Sequence, residues 1–222
     1  MMHLYQVPDH SVVVVDVLRA TSCMVTAFAH GVASIAPFAR LEDCLAMKSV
    51  GYLTAGERDG RKVDGFDLGN SPFEYQQPSV KGKNIAFTTT NGTQAIVKSL
   101  GAKEILIGSF LNLSAVAKHL HECPYDVLIV CAGWKGKVNM EDTLFAGALV
   151  EKLKDKIDPA CDSPLAAHHL YNLARNNMAA FLDNTRHVNR LRKLNVIKDI
   201  EFCLTPDQYE VLPYVKDNVL VA

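Results

Sequence analysis

"SVVVVDVLRATSCMV" (residues 11–25) decides the fold. Four consecutive valines, Val12 to Val15, read as a β-strand with apolar side chains on both faces, the pattern of a strand covered above and below. Asp16, Arg19, Thr21 and Ser22 then fall within seven positions, before the chain turns apolar again in a helical pattern that stops at Gly31. Strand, polar corner and helix together are the unit of an α/β layered protein. The corner itself is open to two readings. It is either an ordinary capped turn, which Asp16 suits, or one corner of a functional site.

The same unit recurs along the chain. Strands are predicted at 11–17, 32–38, 52–56, 83–90, 104–110 and 126–133. Helical patterns lie between them in "LEDCLAMKSVG", "GTQAIVKSLG", "LSAVAKHLHE" and "MEDTLFAGALVEKLK". Such alternation predicts an α/β fold with a largely parallel, mixed sheet in a single domain spanning 1–222. Further helices are predicted around 163–183 and 185–194. The tail, "VIKDIEFCL" followed by "EVLPYVKDNVLVA", reads as short strands added antiparallel at a sheet edge.

Composition narrows the class. The 222 residues are 49% hydrophobic and 21% charged, with a formal net charge of −1. That balance suits a globular protein with a real core and gives no general attraction to nucleic acid or anionic lipid. No apolar run approaches the roughly 18 residues of a spanning helix. "MMHLYQVPDH" has no basic-then-apolar export pattern, so a cytosolic location is expected. The six cysteines, none in a C-x-x-C pair, are expected to be reduced and mostly packed, and their spacing disfavours zinc.

One segment interrupts the alternation. "GERDGRKVDGFDLGNSPFEY" (56–75) is long, glycine-rich and charged, yet Phe66, Leu68, Phe73 and Tyr75 can anchor it, so it reads as a binding loop. Polar clusters fall at four strand ends: Asp16 to Ser22; Glu57 and Arg58 continuing to Asp64, Asp67 and Asn70; "TTTNGTQ" (88–94); and "CAGWKGKVNMED" (131–142). In α/β sheets ligands collect at such ends. Each cluster also has a plain structural use: Asn91-Gly92 suits a turn, Asn139 a helix cap, and Glu141-Asp142 the first turn of a helix. Together they combine hard oxygen donors (Asp16, Glu57, Asp67, Glu141, Asp142) with cations (Arg19, Arg58, Lys135, Lys137). That mixture suits a divalent metal handling a phosphorylated, acidic small molecule. Walker A, Rossmann and G-x-S-x-G motifs are absent, and Leu18 stands where a haloacid-dehalogenase phosphatase has a second Asp. Cys23 reads as a packed helix residue.

"DVLRATSC", "GERDGRKVDGFDLGNSPFEY", "TTTNGTQAI" and "CAGWKGKVNMEDTLFAGAL", in that order over residues 12–150, resemble the 2-phosphosulfolactate phosphatase family. The resemblance implies a three-layer α/β/α fold and a Mg²⁺-dependent phosphatase converting 2-phosphosulfolactate to 3-sulfolactate, a step associated with coenzyme M synthesis. Carried over motif by motif, it nominates Asp16, Glu57, Glu141 and Asp142 for catalysis. Asp16, Glu57, Asp142 and Asp67 are nominated for metal, and Arg19, Thr21, Ser22, Arg58, Asn91, Gly92 and Thr93 for the substrate's anionic groups. Cys23 departs from the hydroxyl residue usual there. Direct attack by a metal-activated water is favoured over a phosphoenzyme, because neither Asp16 nor Ser22 sits in a known nucleophile motif. Other small phosphorylated carboxylic or sulfonic acids, or anion binding without turnover, are the alternatives. His119, His121, His168 and His169 read as surface or packing residues. Trp134 either walls a pocket or packs, and a homodimer is the default assembly.

Overall fold

Val12 to Val15 lie in strand β1 (His10–Val15), and all four side chains are fully buried. Their alternation divides them between two cores. Val12 and Val14 pack with Met24, Phe28 and Ile96, while Val13 and Val15 pack with Phe110, Leu144 and Phe145 on the other face. The sheet is therefore a middle layer between helices, the three-layer arrangement. The protein is described here by a computed structural model covering residues 7–222. The first six residues of the stretch read as lacking an export signal lie outside the described residues.

On the first face lie α1 (Ala20–Ala29) and α3 (Gly92–Lys98). On the second lie α4 (Leu113–Glu122), α5 (Met140–Leu153), α8 (Arg186–Lys193) and α9 (Ile197–Cys203). α6 (Asp162–Ala174) packs on α5 so closely that a Cβ on Gly147 would meet Ala167 O at 2.1 Å. α2 (Leu41–Ala46) and α7 (Met178–Phe181) complete the helices. Among the described residues no helix is long and apolar enough to cross a membrane.

The nine strands of the described residues pair in the order β4-β3-β5-β2-β9-β8-β6-β1-β7. β2 (Ser34–Pro37), β3 (Leu53–Arg58) and β5 (Asn84–Thr88) form one parallel block, with β4 (Arg61–Lys62) as a hairpin on β3. β6 (Glu104–Gly108), β1 and β7 (Asp126–Cys131) form the other. Between them sits the hairpin of β8 (Tyr214–Lys216) and β9 (Val219–Val221), paired antiparallel to β6 and β2. The tail strands are thus central, which corrects the edge position read from the sequence. The reason is that β2 and β6 would otherwise present unpaired edges beside a buried core, and a short hairpin whose Leu220 is fully buried fills the gap. A second correction concerns "VIKDIEFCL". It forms α9, because Val196, Ile200, Cys203 and Leu204 recur at helical spacing and pack into the second core.

Three successive antiparallel pairings make the two parallel blocks run in opposite senses. Five pairing steps separate β5 from β1. At about 20–25° of twist per step the sheet turns by roughly 100–125° over that distance. The carboxyl ends of β1, β3 and β5 nevertheless meet: Thr90 N donates to Glu57 Oε1 at 2.9 Å, and Gly92 lies against Asp16 and Ala20. The active corner forms where the twisted sheet brings these ends together.

The central hairpin makes a test. Leu220→Ala should cost about 2–5 kcal/mol of unfolding free energy in urea titrations, the range for core leucines. A loss under about 1 kcal/mol would contradict the hairpin's place in the middle of the sheet.

Candidate active site

Among the described residues the buried acids and bases are Asp16, Arg19, Glu57, Glu141, Asp142, His187 and Asp199. All lie where β1, β3, β5 and β7 end. Buried charge is costly unless paired or hydrogen-bonded, so the partners of each one define the site.

The β1–α1 corner is built by its own hydroxyls. Asp16 N donates to Thr21 Oγ1 and Thr21 N to Asp16 O, both at 3.0 Å, while Ser22 Oγ donates to Val17 O at 2.8 Å. Thr21 and Ser22 are wholly buried, so their nominated anion contacts are replaced by shaping the turn. Gly92 acts by its lack of a side chain: a Cβ there would lie 2.6 Å from Ala20 Cβ and 2.9 Å from Asp16 Oδ2. Thr93 Oγ1 is engaged within its own turn by Thr89 O and N.

Glu57 and Asp142 are braced in the same way. Glu57 accepts from Gly60 N at 2.6 Å and Thr90 N at 2.9 Å, and Asp142 accepts from Val17 N at 2.9 Å and Gly133 N at 3.0 Å. Each carboxylate ties two loops from different strand ends. Arg19 pairs with Asp199 and donates to Gly60 O at 3.0 Å, and Ser71 Oγ donates to Asp199 at 3.0 Å. Glu57 and Arg19 therefore both fix the Asp59-Gly60 turn between β3 and β4.

Glu141 is fully buried and bonds His187 Nδ1, while its other oxygen, Oε2, has no hydrogen-bond partner. His187 stacks on Trp134 with ring centres 5.6 Å apart and 14° between planes. With Nδ1 held by a carboxylate, Nε2 is the nitrogen left for the cleft. His187, Arg190 and Leu191 share one face of α8, at the i, i+3, i+4 spacing of neighbours on a helix surface.

These parts line a cleft open to solvent. Asp16, Arg19, Glu57 and Asn91 line it, as the sequence reading placed them; so do Asn70, Trp134 and Lys135. Asn70 is 7% exposed and its side-chain oxygen has no partner. Glu141 and Asp142 stand behind the wall. Arg58 points away to Glu57 O and Thr88. Asp67 does not join the site, because Thr54 and Lys48 take up its carboxylate on the far side of β3. His187, Arg190 and Asp199 were missed by the sequence reading. The available signal for His187 and Arg190 was a single helix face in "TRHVNRLRKL", with no strand-end motif to mark it, and Asp199 lies on the next helix, α9.

Asp16 is the under-compensated acid on the cleft itself. Burial, then repulsion from Glu57 and Glu141, pushes its carboxyl up to about 7 despite the opposing pull of His187 and the Ala20 N–H. Burial, with Asp16 and Glu141 nearby, also holds Asp142 well above the usual carboxyl range. Excess buried negative charge and hard oxygen donors fit a divalent cation such as Mg²⁺. The described residues contain no three-ligand acid, His or Cys cage. Mg²⁺ commonly takes only one or two protein carboxylates and completes its shell with water and substrate phosphate. Asp16 and Glu57, both on the cleft, are the residues that fit.

An α/β protein with an acid-floored cleft rimmed by cations is the class that this geometry defines. The family model for 2-phosphosulpholactate phosphatase matches residues 1–218. A Caldanaerobacter subterraneus protein named "Probable 2-phosphosulfolactate phosphatase" is 41% identical over 217 residues, covering 96% of this chain and 90% of the relative. Proteins of the same name from Thermotoga maritima and Clostridium tetani are 42% and 36% identical, covering 94% and 97% of this chain and 90% and 93% of theirs. The chain belongs to the 2-phosphosulfolactate phosphatase family.

The raised Asp16 pKa gives a stability test. Between about pH 4 and 7 the folded protein keeps a proton that the unfolded chain has released, so this group's contribution to stability falls as pH rises through that window. Asp16→Asn should therefore raise unfolding free energy at pH 8 by roughly 1–4 kcal/mol and change it little near pH 4. Equal effects at both pH values, measured by chemical denaturation without added cation, would contradict the assignment.

Proposed function

We propose that this chain is a phosphatase hydrolysing 2-phosphosulfolactate to 3-sulfolactate and phosphate, with Mg²⁺ as cofactor, in a step of the coenzyme M biosynthetic type and in the cytosol. Family membership supports the reaction class. The observation that carries the reading is Asp16, a buried carboxylate without a cationic partner of its own, on the floor of a cleft whose rim bears Arg19, His187, Lys135 and Arg190. An acid floor under a basic rim suits a multiply anionic ester together with a divalent cation.

When bound, Mg²⁺ supplies positive charge that offsets the phosphoryl oxygens, with Asp16 and Glu57 as the residues that would hold it. The protein's own groups account for the rest. Gly60 N and Thr90 N keep Glu57 fixed at the cleft wall. Arg19, clamped by Asp199, holds the wall at the Asp59-Gly60 turn. Asn70 Oδ1, an acceptor without a hydrogen-bond partner, is available to a donor or a cation in the cleft. His187, oriented by Glu141, offers Nε2 to a proton moving to or from the ester.

Phosphate release from 2-phosphosulfolactate and from other phosphorylated carboxylic and sulfonic acids, with Mg²⁺ and with EDTA, tests the reading. Turnover with Mg²⁺ and its loss with EDTA are expected. Asp16→Asn should lower kcat/KM by about 10²–10⁴-fold. Metal-dependent turnover of a different phospho-acid alone would reassign the substrate, and no release from any would leave an anion-binding protein.

A further inference from the structure

Two tight turns face each other across the cleft mouth. Asp59-Gly60 joins β3 to β4, with φ of 53° and 76°. Lys135-Gly136 joins the bridged residues Trp134 and Lys137, with φ of 50° and 73°. Positive φ at both central residues is what a two-residue hairpin turn of type I′ requires. Each tip thus presents one charged side chain, and Lys135 Nζ lies 3.4 Å from Asp59 Oδ1. Arg190 from α8 completes the group, with Nη2 3.7 Å from the same oxygen. Both cations lie over the Trp134 ring, at 5.6 Å for Arg190 and 5.7 Å for Lys135. Gly60 lets α8 approach this turn closely, since a Cβ there would stand 2.7 Å from Leu194 Cδ1.

The pairing is loose where it ought to be tight. Both distances exceed a normal charged hydrogen bond, and the Asp59 side chain is 78% exposed, so the interaction is worth little. Two cations held on an aromatic platform around one weakly bound, solvated carboxylate form an anion seat that an internal acid occupies only in part.

We propose that Arg190, Lys135 and Trp134 form a subsite for the sulfonate of the substrate, the acid group remote from the phosphate, and that Asp59 is its internal stand-in, displaced when substrate binds. This rests on the phosphatase reading and names the part of the cleft that selects the acid. A guanidinium fork can bind two oxygens and a mobile ammonium a third, so the pair can engage all three oxygens of a sulfonate, where a carboxylate offers two. Asp59 repels ligands whose charge is too weak to displace it, so it contributes selectivity as well as neutralising the empty seat.

The test is calorimetric titration of the full chain with 3-sulfolactate, with lactate, which keeps the carboxylate but lacks the sulfonate, and with inorganic phosphate. The unaltered protein should bind 3-sulfolactate more tightly than lactate. Arg190→Gln should weaken 3-sulfolactate at least tenfold and phosphate less than threefold, whereas Asp59→Asn should tighten 3-sulfolactate severalfold. Lys193→Gln, on the same helix but outside the cleft, controls for general loss of positive charge and should behave as the unaltered protein. Equal weakening of sulfolactate and phosphate by Arg190→Gln would overturn the subsite, as would no preference for sulfolactate over lactate or an Asp59→Asn variant that binds no better. Phosphate release by the same preparations separates the two conclusions. Selective sulfolactate binding without release removes the phosphatase reading and keeps the subsite, and release without the selectivity does the reverse.

Discussion

A buried carboxylate with too little positive charge around it is the constraint on which the site depends. Five acids and two bases are buried among the described residues. Arg19 is taken by Asp199 and His187 by Glu141, which leaves Asp16, Glu57 and Asp142 without cations of their own. Glu57 and Asp142 each accept from two backbone amides, which fixes loops in place, although burial still holds Asp142 above the usual carboxyl range. Asp16 has the Ala20 amide and the cleft. A protein holds such a group only where the surrounding fold is stable enough to bear the cost, and Val12 to Val15 of β1, fully buried, provide that support.

The fold serves that arrangement through the central hairpin. By joining β2 to β6, β8 and β9 unite two parallel blocks in one sheet whose strand ends converge from different directions. The acid floor comes from the ends of β1 and β3, and the cationic rim from the turn after β7 and from α8. The β1–α1 corner supplies both signs, through Asp16 and Arg19, and the other charges come from separate units. The cleft's selectivity therefore depends on how those units sit against one another, which explains why backbone amides and glycines occupy so many positions around it.

The layer structure was legible in the sequence because it follows from local pattern. Continuous valines in β1 and alternating apolar segments state burial on both faces without reference to distant partners. Asp16, Arg19, Glu57 and Asn91 were legible because polar residues right after buried strands have few structural excuses. The hairpin's position was not legible: strand pairing order depends on which edges remain open, and "YVKDNVLVA" carries no mark of a central place. His187, Arg190 and Asp199 escaped for a similar reason, lying on amphipathic helices whose polar faces normally meet water. Thr21, Ser22 and Thr93 show the opposite case. Their residue types suit anion binding, yet hydroxyls beside a tight turn bond the nearest backbone groups first.

The central claim is that Asp16 is the under-compensated charge on the cleft floor. Carbon-13 NMR of aspartate-labelled protein in the absence of divalent cation reads it directly, with Asp16→Asn giving the assignment. The account predicts one aspartate carboxyl, absent from the variant, that titrates near pH 7 and loses its proton at lower pH when Mg²⁺ is added. An Asp16 carboxyl that titrates near pH 4 without any cation would contradict it.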